Sequence, residues 1–405
     1  MVVSLPYRPG IYMLTISAAG AVVYMISMIF NLFKTKITRA ELLALQAAGS
    51  TVVTIPALRT GWRAGQHVRI RVPALGLRLG FEGHPFTISS APDGEGMILM
   101  CKNSGDWTRA LHKLAQGPSS QRESALGTNA PVDVTMIVEG PHGGLGNTML
   151  PSFSSVLLCA GGSGITHSLA LAHDLMTKAT TGVVRARTID LVWVIRTEEA
   201  ARPLMPTLLD MVNDAKAFEM QCLNDRRYGG TSPAPTALRV KIFVTRCPSS
   251  SPLKLANTCA EANDDSISIA HITHEANSDL KDPFTDENPF LDPDVQNGYL
   301  SRTPSTGKST GGFSSFRIPN SARNMPLSSI AAYPKRANFE SIVTTLVEET
   351  VHRHALERTD SSGVCVTACG PEAMVESCNI AVRSVDADRR RAVGGVDFEE
   401  ECFGY

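Results

Sequence analysis

The stretch "SVLLCAGGSGITHSLALAHDLMTKA", Ser155 to Ala179, decides the fold. It opens as a continuous apolar run, the pattern of a strand buried on both faces, and closes with the length and apolar spacing of a helix. Gly161, Gly162 and Gly164 lie between the two. A glycine turn that opens a helix lets backbone approach a phosphate, and the helix N-terminus adds N–H donors and a partial positive charge. The spacing is not GxGxxG, because His167 stands where the third glycine would fall. A plain tight turn would use the same residues.

The rhythm repeats downstream. "TIDLVWVI" precedes "PLMPTLLDMVNDAKAF", "LRVKIFVTR" follows, and "SGVCVTACG" precedes "PEAMVESCNIAVRSV". Alternating buried strands and helices predict a parallel α/β domain over 151–405. Pro248 to Ile330 interrupts it; 28 of those 83 residues are Ser, Thr or Pro. So little apolar surface cannot offset the chain entropy, which predicts a disordered insertion. Order is expected again in "ANFESIVTTLVEETVHRHA", where Phe339, Ile342, Val343, Leu346, Val347 and Val351 share a helical face.

Upstream, over 37–150, short strands alternate with turns: "AELLALQA", "STVVTIPAL", "QHVRIRVPAL", "HPFTISS", "MILMCK" and "VDVTMIVEG". This spacing predicts a small antiparallel β-barrel. One helix, "DWTRALHKLAQG", interrupts it, with Asp106 or Thr108 able to cap its start and Gly117 its end. In "GHPFTISSAP", Gly83 to Pro92, Pro85 removes a backbone donor, which confines the segment to a strand start, an edge or a bulge. Such backbone is open to a ligand, or belongs to an ordinary edge strand. Two further positions stand at strand ends, where open α/β sheets bind ligands. Arg196 suits a 2′-phosphate or is a solvated surface arginine. Cys369 ends the strand before "GPE", a placement that favours a site over an inert buried thiol.

The first residues differ from the rest. Ile11 to Phe33 is 23 residues without a charge, enough to cross a hydrocarbon core of about 30 Å. Lys34, Lys36 and Arg39 follow and only Arg8 precedes, so the positive-inside bias puts the remainder in the cytoplasm. A signal peptide is the alternative, but the run is long and no small-x-small site follows it. These features divide the chain into an anchor over 1–36, the barrel and the α/β domain.

The 405 residues are 43 % hydrophobic and 19 % charged, as in a globular protein, and a net charge of −1 gives no whole-chain attraction to nucleic acid. Nine scattered cysteines without a CxxC pair suggest neither a disulfide framework nor a zinc site.

Taken together, "WRAGQHVRIRVP", "HPFTISSAP", "SGDWT", "GPHGG", "VLLCAGGSGIT", "LVWVIR", "ACGPE" and the terminal "EECFGY" stand in an order that resembles the fungal ferric-chelate reductases, relatives of the NADPH oxidases. The resemblance spans residues 11 to 405 apart from the insertion. It implies a ferredoxin-reductase-like fold in which the barrel binds FAD and the α/β domain binds NADPH. His84, Pro85, Phe86, Thr87, Ile88, Ser89 and Ser90 are implied along the flavin, with Thr87 as a hydrogen-bond partner. Lys102 stands where relatives carry a pyrophosphate-binding arginine, and keeps its charge without the bidentate fork. Gly105, Trp107 and Thr108 open the helix beside it. Gly161, Gly162, Gly164, Ile165 and Thr166 are implied at the dinucleotide, Arg196 and Arg336 at its 2′-phosphate, and Cys369, Gly370 and Pro371 near the nicotinamide. Tyr405, where many relatives have Trp, is implied to cover the flavin, so Thr87, Cys369 and Tyr405 stand nearest the chemistry.

The implied activity is ferric-chelate reduction: hydride passes from NADPH to FAD, and single electrons continue to iron in iron uptake. Family members route those electrons through two haems held by histidine pairs on membrane helices. Here none of the ten histidines precedes His67, so haem is expected only through a missing segment or a haem-bearing membrane partner. A superoxide-forming oxidase and a catalytically silent membrane-anchored fragment are the competing readings.

Overall fold

The computed structural model describes residues 9–92, 94, 96–117, 131–227, 233–246, 254–263, 327–357, 359 and 361–401. Tyr405 and the stretch 264–326 lie outside the described residues.

The described residues open with helix α1, Pro9–Phe33. Its apolar stretch Tyr12–Ile29 is long enough to cross a membrane and is nowhere buried against the rest of the chain. A single residue, Lys34, separates the helix from strand β1, Thr35–Leu45.

Strands β2 (Ser50–Ile55), β3 (His67–Arg71), β4 (His84–Thr87), β5 (Met97–Lys102) and β6 (Val132–His142) join β1 in an antiparallel sheet of order β4-β3-β6-β1-β2-β5. Alternation sets the faces: Ala40, Leu42 and Ala44 of β1 and Met97, Leu99 and Cys101 of β5 point into one core. The two end strands meet just past β4, where Ile88 bridges Leu99. Ser89 donates both its N–H and its hydroxyl to Ile98 O, each at 2.8 Å. Ser90 Oγ donates to Gly96 O at 3.0 Å and accepts the Ile98 N–H at 3.1 Å. The hydroxyls of Ser89 and Ser90 therefore tie the barrel seam.

Helix α2, Asp106–Gln116, plugs the barrel with Trp107, Leu111 and Ala115, spaced four apart so that all face its core. Thr108 does the capping from inside the first turn: its Oγ accepts the N–H groups of Gly105 (2.9 Å) and Ser104 (3.0 Å). Asp106, the other expected cap, pairs with Arg109 instead. Gly117 ends the helix at φ +64, as its freedom allows.

The second sheet is parallel throughout: β7 (Ser155–Gly161), β8 (Thr188–Ile195), β9 (Ala237–Val244), β10 (Ser329–Tyr333), β11 (Val364–Cys369) and β12 (Val396–Glu401), in the order β10-β9-β8-β7-β11-β12. Helices α3 (Ile165–Thr180), α4 (Met205–Arg227), α6 (Phe339–Glu357), α7 (Glu372–Arg383) and α8 (Ala387–Val393) accompany it. The expected face of α6 forms, with Phe339, Val343, Leu346 and Val347 buried and Ile342 and Val351 packed beside them. Strands β10 and β12 were not anticipated. Both are end strands, and the acidic "VDFEEE" of β12 suits an exposed edge that must not pair further.

The flanks of the interrupted stretch belong to the fold, which narrows the expected insertion. Helix α5, Lys254–Asn263, buries Leu255 and Cys259. At the other flank, buried Ser328 donates its N–H to Glu219 Oε2 at 2.9 Å and accepts the Leu238 N–H at 2.9 Å. Burial pushes the Glu219 carboxyl up to about 7. Replacing 264–326 by a short Gly/Ser linker is therefore expected to leave thermal unfolding nearly unchanged. Extending the deletion to 249–329 should cost about 2–5 kcal/mol, through two lost core side chains and the orphaned Glu219. Equal unfolding midpoints for the two deletions would contradict this assignment.

Candidate functional site at the junction of barrel and parallel sheet

Sheet growth reverses at the β7/β11 pair: β8, β9 and β10 extend one way and β12 the other. Ligands of open α/β sheets bind outside the carboxyl ends of the strands at such a switch point. Strand β7 ends in Gly161, and Gly370 directly follows β11. A Cβ on Gly164 would lie 2.1 Å from Cys369 O, and one on Gly161 would lie 2.6 Å from Pro371 Cδ. Gly161, Gly164 and Gly370 thus let two turns pack backbone against backbone. Gly162 is the exception: it has φ +55 and nothing within 4 Å of a Cβ, so its turn is left-handed and its surface open. Trp193 Nε1 donates to Gly162 O at 2.9 Å and ties the turn to β8. Ile165 is buried, and Thr166 donates its hydroxyl to Ser163 O at 3.1 Å, so both serve the start of α3 through their side chains. Cys369 is buried beneath this turn, and Pro371 precedes α7.

Along the same edge stand the cations. Arg196 follows β8 and Arg336 follows β10, both exposed. Between them the structure adds exposed Arg246, one residue past Thr245 at the end of β9, whose N–H donates to Arg196 O at 2.9 Å. Sequence reading passed over Arg246, although "FVTR" ends a strand just as "VWVIR" does. Lys335 lies over the Tyr333 ring at 5.5 Å, and that ring stacks on Phe243 at 5.0 Å.

On the barrel side, β4 is the end strand of its sheet order, as Pro85 requires. His84 lies 4.5 Å from the Trp107 ring and Phe86 5.7 Å from it, forming an aromatic wall. Trp107 itself is buried, with Nε1 donating to Leu79 O at 3.0 Å, so it backs this wall. Thr87 is buried opposite His67 of β3. Exposed Lys102 ends β5, three residues before Gly105 and the N-terminus of α2. An open strand edge, an aromatic wall and a helix N-terminus beside a lysine fit an isoalloxazine ring and a pyrophosphate. The Gly162 turn and the basic edge fit a phosphorylated dinucleotide.

Barrel and parallel sheet touch. His67 Nδ1 is 3.9 Å from Glu401 Oε1 at the end of β12, and the His142 ring lies 5.9 Å from that of His67. Burial, then His142 and Arg69, lowers the His67 pKa, while burial raises that of Glu401. Both shifts favour the neutral forms, so this is a polar contact more than an ion pair. Thr148 also donates its hydroxyl to Glu399 of β12.

An antiparallel near-barrel beside a parallel sheet whose switch point carries a glycine turn defines the class: a ferredoxin-reductase-like flavoprotein that binds FAD and a nicotinamide dinucleotide. Family models narrow it, with an FAD-binding domain matching residues 30–145 and a ferric reductase NAD binding domain matching 153–382. The chain belongs to the ferric reductase family and is a flavoprotein oxidoreductase of the ferric reductase and NADPH oxidase group. A probable cell surface ferric reductase of Aspergillus oryzae is 31 % identical over 150 residues, 34 % of this chain and 18 % of that one. Human dual oxidase 1 is 30 % identical over 138 residues, 34 % of this chain and 8 % of that one. The chain thus spans less than a fifth of the length of either relative. Among solved structures, a ferredoxin NADP+ reductase from Neisseria gonorrhoeae with bound FAD and NADP aligns over 91 % of this chain and 98 % of that chain, with 12 % identity and a TM-score of 0.44.

Proposed function

We propose that this chain is the dehydrogenase part of a ferric-chelate reductase, taking hydride from NADPH and passing single electrons onward to iron. The observation that carries this reading is the arrangement at the junction: the open Gly162 turn and the basic edge on one side, the open edge of β4 on the other. In this reading Gly162 and the first turn of α3 hold the dinucleotide phosphates, and Arg196, Arg246 and Arg336 hold the 2′-phosphate. Cys369 and Gly370 border the nicotinamide, while Thr87, the rings of His84 and Phe86, and Lys102 hold the flavin. FAD, when bound, supplies the conversion of a two-electron donor into one-electron steps that ferric iron requires. The protein's own part is orientation. Helix α1 spans the membrane with the barrel on the cytoplasmic side, supported by Lys34, Lys36 and Arg39 at its exit. Onward transfer across the bilayer uses a haem-bearing membrane segment or subunit, since α1 contains no histidine, cysteine or charged residue.

Superoxide formation is the second reading, supported by the similarity to dual oxidase. The test uses the full chain in detergent, loaded with FAD. NADPH is expected to bleach the flavin, and a ferric chelate is expected to reoxidise it faster than oxygen does. Reoxidation by oxygen alone would favour the oxidase, and a flavin that NADPH never bleaches would leave a silent fragment. In the same assay Arg196→Ala combined with Arg246→Ala should weaken NADPH by about tenfold or more while sparing NADH, because the charge-assisted phosphate contacts exist only in the former. Equal weakening of both coenzymes would remove these arginines from the 2′-phosphate.

A further inference from the structure

We propose that His167 is a positioning residue that holds the dinucleotide turn at a set distance from the flavin strand; the inference rests on the reading above of which residues border the two cofactors. His167 is the third residue of α3, immediately after "GGSGIT". It is 1 % exposed although it is polar, and its imidazole packs against the backbone of Gly65 in the barrel. Gly65 has φ +87, and a Cβ there would lie 3.0 Å from His167 Cε1 and 3.3 Å from Leu171 Cδ2. Glycine at that point is what lets the ring reach the barrel backbone.

The contact continues on the far side. Gln66 O accepts the N–H of Ile88, the residue after Thr87, at 3.0 Å. The Gln66 side chain is pinned as well: Oε1 accepts the Arg63 N–H at 2.7 Å and Nε2 donates to Gly143 O at 3.1 Å. The turn Ala64–Gly65 together with Gln66 is therefore a rigid spacer, with the helix that opens at the dinucleotide turn on one side and the flavin strand on the other. Burial pushes the His167 pKa down to about 4, so the ring is neutral at working pH and the spacer does not switch with protonation. Its Nδ1 has no hydrogen-bond partner among the described residues, so the ring is held in place by its packing against Gly65. A misplacement of about 1 Å between reacting groups costs on the order of a hundredfold in rate, which is the scale on which such a spacer acts.

The experiment uses the full chain in detergent and two readouts. In the cofactor-free protein, His167→Ala is expected to raise amide hydrogen exchange at Ile88, and addition of NADP+ is expected to slow that exchange in the wild type but not in the variant. In the FAD-loaded protein, flavin bleaching at saturating NADPH should slow by roughly ten- to a hundredfold, with flavin content and NADPH affinity within about twofold of wild type by the definition of a positioning effect. His167→Gln, which retains a side chain of similar reach, should recover part of both. Gly65→Ala pushes on the same contact from the barrel side and should reproduce the slowed transfer, which keeps the test alive should His167→Ala not fold. Unchanged Ile88 exchange in every folded variant, or a rate that falls only in proportion to lost flavin or NADPH affinity, would overturn the proposal. A wild type whose flavin NADPH cannot bleach would refute the proposed function, while the exchange arm would still report whether the spacer exists.

Discussion

Gly164→Ala is expected to abolish NADP(H) binding while leaving the barrel able to retain flavin. The backbone of Gly164 is in an ordinary right-handed conformation, φ −61 and ψ −10, so the penalty is purely steric. Its Cβ would meet Cys369 O at 2.1 Å, Cys369 C at 2.6 Å and Cys369 Sγ at 3.1 Å. Two of those atoms are backbone of a central strand and cannot swing aside. The turn must separate from the end of β11, at an overpacking cost of about 3 kcal/mol. Gly162→Ala is the matched control: nothing obstructs its methyl, and the left-handed backbone costs only about 1 kcal/mol. That methyl projects into the open space over the turn, so this variant should fold and lose nucleotide affinity without losing the sheet. Calorimetric titration with NADP+ and the flavin absorbance of each purified variant separate the cases. A Gly164→Ala protein with wild-type NADP+ affinity would show that the two turns are not in contact.

The second large effect lies beneath the basic edge. Asp190 of β8 has a side chain 1 % exposed and accepts from Arg239 Nε at 2.5 Å, Arg239 Nη2 at 2.9 Å and Lys241 Nζ at 2.8 Å. Arg239 Nη1 also reaches Glu349 of α6 at 2.8 Å. Asp190→Ala removes the anion on which two largely buried cations of β9 depend, and loss of one partner of a buried ion pair costs about 3–5 kcal/mol. Converting Asp190, Arg239 and Lys241 together to apolar residues of similar volume should restore most of that stability, because the only charge that then loses its partner is Glu349, whose side chain is 37 % exposed. Urea unfolding of the three proteins gives the comparison, and a loss below about 1 kcal/mol, the scale of an exposed pair, would place the cluster among surface pairs. The consequence reaches function, since Arg196 and Arg246 lie just past the ends of β8 and β9. A sheet that loosens between these strands should also lose its preference for the phosphorylated coenzyme.

The elements that repeat locally were readable from the residues. Alternation set the strands of the barrel, apolar runs set β7, β8 and β11, and the capping residues at either end marked α2. Pro85 announced a strand edge, because a missing N–H is a property of that residue wherever it stands. A different kind of information was needed for β10 and β12. Both are short end strands, and "SIAAY" has only Ile330 fully buried, so neither carries a pattern strong enough to stand out. The interruption after β9 was legible as a change in composition, but its limits depended on Leu255, Cys259 and Ser328 finding partners elsewhere in the chain.

By itself the sequence determined the two kinds of sheet, the glycine turn at a helix start, the arginine at a strand end and the apolar helix before them, because each follows from residues within a few positions of one another. Only the tertiary structure decided which glycine does what. Gly161 and Gly164 are forced by Pro371 and Cys369, about two hundred positions away, whereas Gly162 faces open space. It also showed that the hydroxyls of Ser89 and Ser90 join the barrel seam, set Arg246 beside Arg196, and brought His167 onto Gly65 across the junction. The physical reason is the same in each case. Steric exclusion and hydrogen bonding act over a few ångströms, and the atoms that come that close are chosen by the packing of the two sheets, not by their distance along the chain.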